Sequence, residues 1–256
     1  VESFFIKLFL AIVQGLTEFL PVSSSGHIAF FAHILRLKSD ILNTTVIVHT
    51  GSVCALIITF FYELIEIVKG VSRKTSPYYN WLWYIIIATI PAALVGYIFE
   101  SKFHKIFNSL NITGIAFITT GIILILTKFV RKPKKELNFV GALIIGIAQI
   151  MAIFPGISRA GITISSGLFL GLEKEKTYKF AFILGIPIIL GASIFELSKY
   201  RFMCEDFLVF FVSLVVSIFA IKIVKKTLLR ENFYKFGYYC IVLGILTNIL
   251  NFSFLI

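Results

Sequence analysis

The sequence predicts an all-α integral membrane protein, an inverted-topology repeat of two five-segment halves. Each half is a re-entrant helical hairpin followed by three transmembrane helices. Three observations carry this. Hydrophobic residues fill 58% of the 256 positions and charged residues only 14%, where a soluble domain carries about 25% charged. Ten apolar segments can be marked, at about 4–20, 24–36, 43–62, 80–99, 112–130, 138–155, 160–172, 179–197, 207–224 and 234–255. Finally, a shift of 135 residues lays "IVQGLTEFLPVSSSG" (12–26) on "IAQIMAIFPGISRAG" (147–161) without a gap.

Taken in order, the first segment follows Glu2 and Lys7 but lacks a small-residue cleavage site, so a removable signal is not expected. The third, fourth and fifth, with runs such as "WLWYIIIATIPAALVGYIF", approach the ~20 apolar residues that cross a bilayer. The second and seventh are too short to span comfortably. Each is joined to the longer segment before it by a break rich in Pro, Gly and Ser, which reads as a hairpin whose irregular backbone needs protein or a water-filled cavity around it. The 135-residue shift pairs Ile12, Gln14, Phe19, Ser23 and Gly26 with Ile147, Gln149, Phe154, Ser158 and Gly161. Segment order repeats as well: a short pair, then three spans. Each half therefore crosses an odd number of times, and the second is inverted relative to the first. The expectation is one membrane domain over 1–256, with repeat 1 at about 1–131 and repeat 2 at about 137–256.

The net charge of +11 does not point to nucleic acid, because the Lys and Arg residues fall between apolar runs, as in "RKPKKE" and "KIVKKTLLRENFYK". Sixteen basic residues gather on one side, among them Lys69, Arg73, Lys74, Lys128, Lys132, Lys176, Lys226 and Lys235. Seven fall on the other, namely Lys7, Arg36, Lys38, Lys102, Lys105, Lys199 and Arg201. The rich side is expected to be cytoplasmic. Both termini and the first hairpin's mouth then face outward, and the second hairpin enters from the cytoplasm. Cys54 and Cys240 lie inside apolar runs and Cys204 has no evident partner, so no disulfide framework or zinc spacing is read.

Two charges stand inside the apolar sequence, Glu18 and Arg159, one near each break. A lone charge at membrane depth is costly, so the two are expected to share a polar pocket. A purely structural ion pair would explain the charges but not the serines, histidine and glycines beside them. In "FPGISRAGITISSG", Pro155 and Gly156 end one helix and the next starts near Ser158 with free amides. A helix N-terminus is an anion site, Arg159 adds a planar fork suited to phosphate oxygens, and Ser158 and Thr163 add hydroxyls. In "QGLTEFLPVSSSGHI", Glu18 can ligate a divalent cation or act as a base, and Gln14 lies one turn earlier on the same face. Ser23, Ser24 and Ser25 supply hydroxyls, at least one of them a helix cap. His27 is the histidine close to these groups; His33 and His49 sit in apolar contexts and read as packing, and His104 reads as part of a charged loop.

Together, "QGLTEFLPVSSSGH" and "PGISRAGITIS" resemble the two signature regions of the undecaprenyl-diphosphate phosphatase family, the bacitracin-resistance type. The resemblance extends over the chain in length, segment order and repeat. It implies a multi-pass enzyme of the inner (plasma) membrane that removes the terminal phosphate of undecaprenyl diphosphate, recycling a lipid carrier for peptidoglycan and other envelope polymers. It further implies a divalent cation (Mg or Ca), an inverted-repeat fold with its pocket open to the outer, periplasmic side, a polyprenyl diphosphate and the bilayer as partners, and room for a homodimer. Carried over by motif, Gln14 and Glu18 match the family's E/Q-x-x-x-E pair, with Glu18 the metal ligand. Ser24 and His27 match the serine and histidine implicated in catalysis, and Gly156, Ser158, Arg159 and Thr163 fall in the diphosphate-binding motif. Two positions depart from the commoner pattern: Gln14 replaces a frequent glutamate and Ala160 a frequent serine.

The expected chemistry is attack by Ser24 on the terminal phosphorus with His27 or Glu18 taking its proton, or direct attack by water with Ser24 orienting the substrate. The alternative from another class is a transporter or flippase of a phosphorylated polyprenyl lipid or small anion, which broken helices in inverted repeats also suit. A vanadium-haloperoxidase-like lipid phosphatase shares an S-G-H element. Its Lys-x6-Arg-Pro motif and second histidine have no suitable counterpart here.

Overall fold

A computed structural model describes residues 2–37, 44–72, 76, 78–107, 109–130, 134–197 and 202–253. Among them the chain forms eleven α-helices: α1 Glu2–Thr17, α2 Ser24–Ile34, α3 Thr45–Thr59, α4 Phe61–Gly70, α5 Trp81–Phe107, α6 Leu110–Leu126, α7 Phe139–Gln149, α8 Arg159–Phe169, α9 Lys174–Leu197, α10 Asp206–Leu229 and α11 Lys235–Ser253. Short 3-10 turns, Thr127–Phe129 and Ile150–Ile153, extend α6 and α7. No strand is present among the described residues. One isolated parallel bridge joins Lys135 to Leu172. Lys102, Lys105 and His104 lie in α5 with side chains outside the described residues; Lys38, Arg73, Lys74, Arg131, Lys132, Lys199 and Arg201 lie outside them altogether.

The surface is that of a membrane protein. Tyr97, Phe129 and Phe207 are each more than two-thirds exposed, an arrangement that water penalises and lipid accepts. Trp81–Phe99, Leu110–Phe129 and Asp206–Leu229 are long and apolar enough to cross a bilayer, and α3 with α4 adds a bent fourth candidate. By contrast α2 and α8 have 11 residues each, about 16 Å of helix against a hydrocarbon core of about 30 Å.

Two segments differ from the sequence reading. The third is not one straight span, for α3 ends at Thr59 and α4 leaves at 68° to it. Phe60, at the corner, packs on Tyr178 and Phe182, with ring centroids 5.5 and 6.0 Å away. Beyond it Glu63, Glu66 and Lys69 make α4 amphipathic. The fourth runs on to Phe107, so His104 sits in helix and not in a loop.

In lipid the apolar environment is no worse than the protein interior, so close packing and hydrogen bonds hold the helices together. The tightest approach is α6 on α11. A Cβ at Gly237 would lie 2.5 Å from the Gly121 carbonyl oxygen, and one at Gly244 2.6 Å from that of Gly114. Elsewhere α1 packs on α10, α7 on α5, and α3 on α9 and α10. The breaks after α1 and α7 meet between these layers. A buried aromatic group of Phe19, Phe60, Tyr178 and Phe182 backs the first of them.

Candidate active site

Each break is built by one capping serine. Ser23 precedes α2 and its Oγ accepts from the Gly26 amide at 3.4 Å; Ser158 precedes α8 and its Oγ accepts from the Gly161 amide at 3.0 Å. Ser23 also accepts from the Gly156 amide at 3.0 Å, which ties one break to the other. Thr120 of α6 completes the joint by donating to the Gly156 carbonyl at 2.8 Å and accepting from the Ser158 amide at 3.2 Å. The approach requires glycine at both contact points. Gly156 has φ +100°, and a Cβ at Gly26 would sit 2.8 Å from Gly156 Cα.

This joint brings the charged residues together. Glu18 follows the last turn of α1, its amide bonded to the Gln14 carbonyl at 2.8 Å, so both side chains share a face. Glu18 Oε2 accepts from Gln14 Nε2 at 2.8 Å and from Ser24 Oγ at 2.7 Å. Glu18 Oε1 accepts from Arg159 Nη2 at 3.0 Å. Gln14 is fully buried and Glu18 nearly so. Opposite Arg159, α9 presents Gly185, where a Cβ would lie 2.0 Å from Nη1. The guanidinium occupies the space which that glycine leaves.

The structure gathers Glu18, Ser24, Gln14 and Arg159, but not His27. The His27 ring has Nδ1 2.7 Å from the Ser23 carbonyl oxygen and Nε2 2.7 Å from the Tyr239 hydroxyl. A carbonyl only accepts, so Nδ1 carries the proton and Nε2 accepts from Tyr239. Both nitrogens are engaged, and the carboxylate in contact with Ser24 is that of Glu18. Thr163, expected to donate to a ligand, donates instead to the Arg159 carbonyl at 2.8 Å. Ser158 acts as a cap, and Gly156 shapes the joint.

Sequence reasoning missed two residues. His49, from α3, has Nδ1 3.2 Å from Gln14 Nε2 and 3.9 Å from Glu18 Oε2. Its only signal was the polar interruption "HTGS" within an apolar run. Tyr239 gave none, as one of two adjacent tyrosines in an apolar helix.

Two buried atoms here have no hydrogen-bond partner among the described residues: Arg159 Nη1, a donor, and Gln14 Oε1, an acceptor. An anion satisfies the first and a cation the second. The first amides of α8, free of intrahelical bonds like those of any helix start, add to the anion side. No group of three or more His, Cys, Asp or Glu side chains suited to a metal occurs among the described residues. A divalent cation would therefore draw on Glu18, Gln14 Oε1 and the Ser24 hydroxyl, with phosphate oxygens completing its shell.

The sequence matches the family described as "Bacitracin resistance protein BacA" over residues 7–246. The chain belongs to this family. Among BacA-related proteins, one from Thermosipho africanus is 38% identical over 239 residues, covering 93% of this chain and 96% of its own. One from Methanococcus maripaludis is 37% identical over 239 residues, covering 92% and 96%, and one from Carboxydothermus hydrogenoformans 38% over 253 residues, covering 94% and 95%. All three carry the name undecaprenyl-diphosphatase. BacA membership thus spans both breaks and the helices that frame them.

Proposed function

We propose that this protein is a membrane phosphatase that hydrolyses undecaprenyl diphosphate to undecaprenyl phosphate and inorganic phosphate, returning a lipid carrier to peptidoglycan and envelope polymer synthesis. The observation that carries the reading is the Glu18–Ser24–Arg159 cluster where the two helix breaks meet. The names of the BacA relatives supply the substrate.

Ser24 Oγ, already donating to Glu18 Oε2, attacks the terminal phosphorus as that carboxylate takes its proton. The phosphorus–oxygen bond to the bridging oxygen breaks, undecaprenyl phosphate leaves, and a phosphoserine remains. Glu18 passes that proton to the departing undecaprenyl phosphate, then takes one from a water molecule as it attacks the phosphoserine. It returns this proton to Ser24 Oγ as the serine–phosphorus bond breaks and inorganic phosphate leaves. Arg159 and the start of α8 hold the diphosphate oxygens throughout, since phosphoryl transfer depends on positioning and charge neutralisation. A divalent cation, Mg or Ca, would share the phosphate charge when bound beside Glu18 and Gln14. Tyr239 and the Ser23 carbonyl fix His27 as a support for the α2 turn.

The finer architecture belongs to the same proposal: one membrane domain, two inverted repeats meeting at residues 131–137, and a re-entrant hairpin in each. Its support is that the packing pairs exchange between halves, α1 on α10 as α7 on α5, and that Ser23 and Ser158 cap equivalent helices. The proposed sidedness, with the pocket open outward, draws support from the ion pairs. Lys174–Glu231, Lys176–Glu136, Lys179–Glu63 and Lys225–Glu175 join helix ends and loops assigned to the cytoplasmic side, whereas Lys7–Glu205 joins two positions assigned outside.

The test is phosphate release from undecaprenyl diphosphate by the purified protein in detergent, where no gradient exists to drive transport. Release is expected, with transient 32P labelling of Ser24 from terminally labelled substrate. Absence of release sinks the phosphatase reading in favour of transport, and release without labelled serine replaces serine attack by direct attack of water.

A further inference from the structure

His49 lies outside both sequence motifs, yet it stands against the two residues through which a cation would be held. Three donor positions converge there: Glu18 Oε2 and Gln14 Nε2 are 2.8 Å apart, Gln14 Nε2 and His49 Nδ1 3.2 Å, and His49 Nδ1 and Glu18 Oε2 3.9 Å. Metal–ligand bonds of about 2.0–2.4 Å place two ligands of one ion about 3 Å apart at right angles and about 4 Å or more when opposite. The three distances fall within that range.

As it stands, Gln14 turns its amide nitrogen to both neighbours, and its oxygen is buried without a partner. A half-turn of the terminal amide exchanges the two atoms and sets the oxygen between Glu18 and His49, an arrangement that a cation between the two oxygens would hold, while the nitrogen takes the position the oxygen leaves. Glu18 and Gln14 are buried, while the His49 side chain is one-third exposed, so the imidazole forms the edge that an ion from water meets first.

We propose that His49 is a ligand of the divalent cation at this site, completing a mixed set with the Glu18 carboxylate and the Gln14 amide oxygen. This rests on the reading of the site as a cation-assisted phosphatase, and it names a further protein ligand of that cation. A single carboxylate already facing Arg159 leaves a divalent ion short of protein ligands, and the His49 nitrogen supplies one more.

The experiment uses Mn2+ as the probe, added to the full-length protein in detergent without substrate and followed by electron paramagnetic resonance. Bound Mn2+ is expected, with the nitrogen modulation of one coordinated imidazole. His49→Gln is expected to lose that modulation and to bind Mn2+ roughly tenfold or more weakly, a change on the scale of losing one partner at a metal site. Should that variant fail to fold, Gln14→Glu reports instead, binding Mn2+ more tightly with the nitrogen signal intact. Mn2+ that binds without nitrogen modulation, modulation that survives in His49→Gln, or no binding at all overturns the proposal. Phosphate release by the same preparation is scored separately, so nitrogen-coordinated Mn2+ without phosphatase activity upholds the ligand and overturns the phosphatase reading.

Discussion

Glu18 is the residue on which the site turns, because its two oxygens serve a guanidinium, an amide and a hydroxyl at once. Removing one partner of a buried ion pair costs about 3–5 kcal/mol, since the other charge stays buried without compensation. Arg159→Ala is therefore expected to lower the thermal midpoint in detergent and to abolish phosphate release. Adding Glu18→Gln removes the stranded charge, so the double variant is expected to regain most of the lost stability and none of the activity. A double variant no more stable than Arg159→Ala would show that the two side chains do not form one electrostatic unit. Glu18, Arg159, Ser24 and Gln14 were legible in the sequence because polar groups inside apolar runs demand explanation. His49 and Tyr239 were not, since a lone polar side chain on an apolar helix reads the same whether it packs or binds. Only the fold brings His49 to a residue 31 positions earlier. His27 lies three residues from Ser24, and α2 turns its ring toward Tyr239 of α11.

The two breaks are joined through elements that carry no candidate catalytic group. α6 brings Thr120 to Gly156 and Ser158, and α11 brings Tyr239 to His27. Their glycine-lined contact therefore bears on the position of the joint that Ser23 and Gly156 make directly. Gly237→Val is expected to force α6 from α11, because even a Cβ there would lie 2.5 Å from the Gly121 carbonyl. Overpacking of this kind costs about 1–3 kcal/mol. Stability and phosphate release are expected to fall together, although the substitution is remote from Ser24. Full activity at an unchanged thermal midpoint would mean that the joint does not depend on this seam. Helix existence and order were legible here from apolar run length and from breaks at Pro and Gly. The corner at Phe60 was not, because nothing local punctuates it. The bend is fixed by aromatic packing on α9 and betrayed only by charges returning after Tyr62.

For the molecule as a whole, the decisive property is sidedness. A pocket that opens outward takes a lipid diphosphate from the outer leaflet, and one that opens inward takes it from the cytoplasmic leaflet. The proposed sidedness assigns the basic residues to two faces, and the ion pairs Lys174–Glu231, Lys176–Glu136 and Lys7–Glu205 each join residues assigned to the same face. The native cysteines allow a direct test. Cys240 is buried, Cys54 half-buried within α3, and Cys204 exposed at the start of α10, on the side assigned outward. A membrane-impermeant maleimide applied to intact cells is expected to label Cys204. In a Cys204→Ser background, Glu231→Cys at the far end of α10, where the native side chain is 80% exposed, is expected to stay unlabelled until the membrane is opened. α10 is apolar and long enough to cross, so the two positions report opposite faces through one helix. Reversed labelling would place the pocket on the cytoplasmic side and move phosphate release inside the cell. Labelling of both positions in intact cells would mean that α10 does not cross, and the pairing of α1 with α10 would then have to be read without a membrane between its ends.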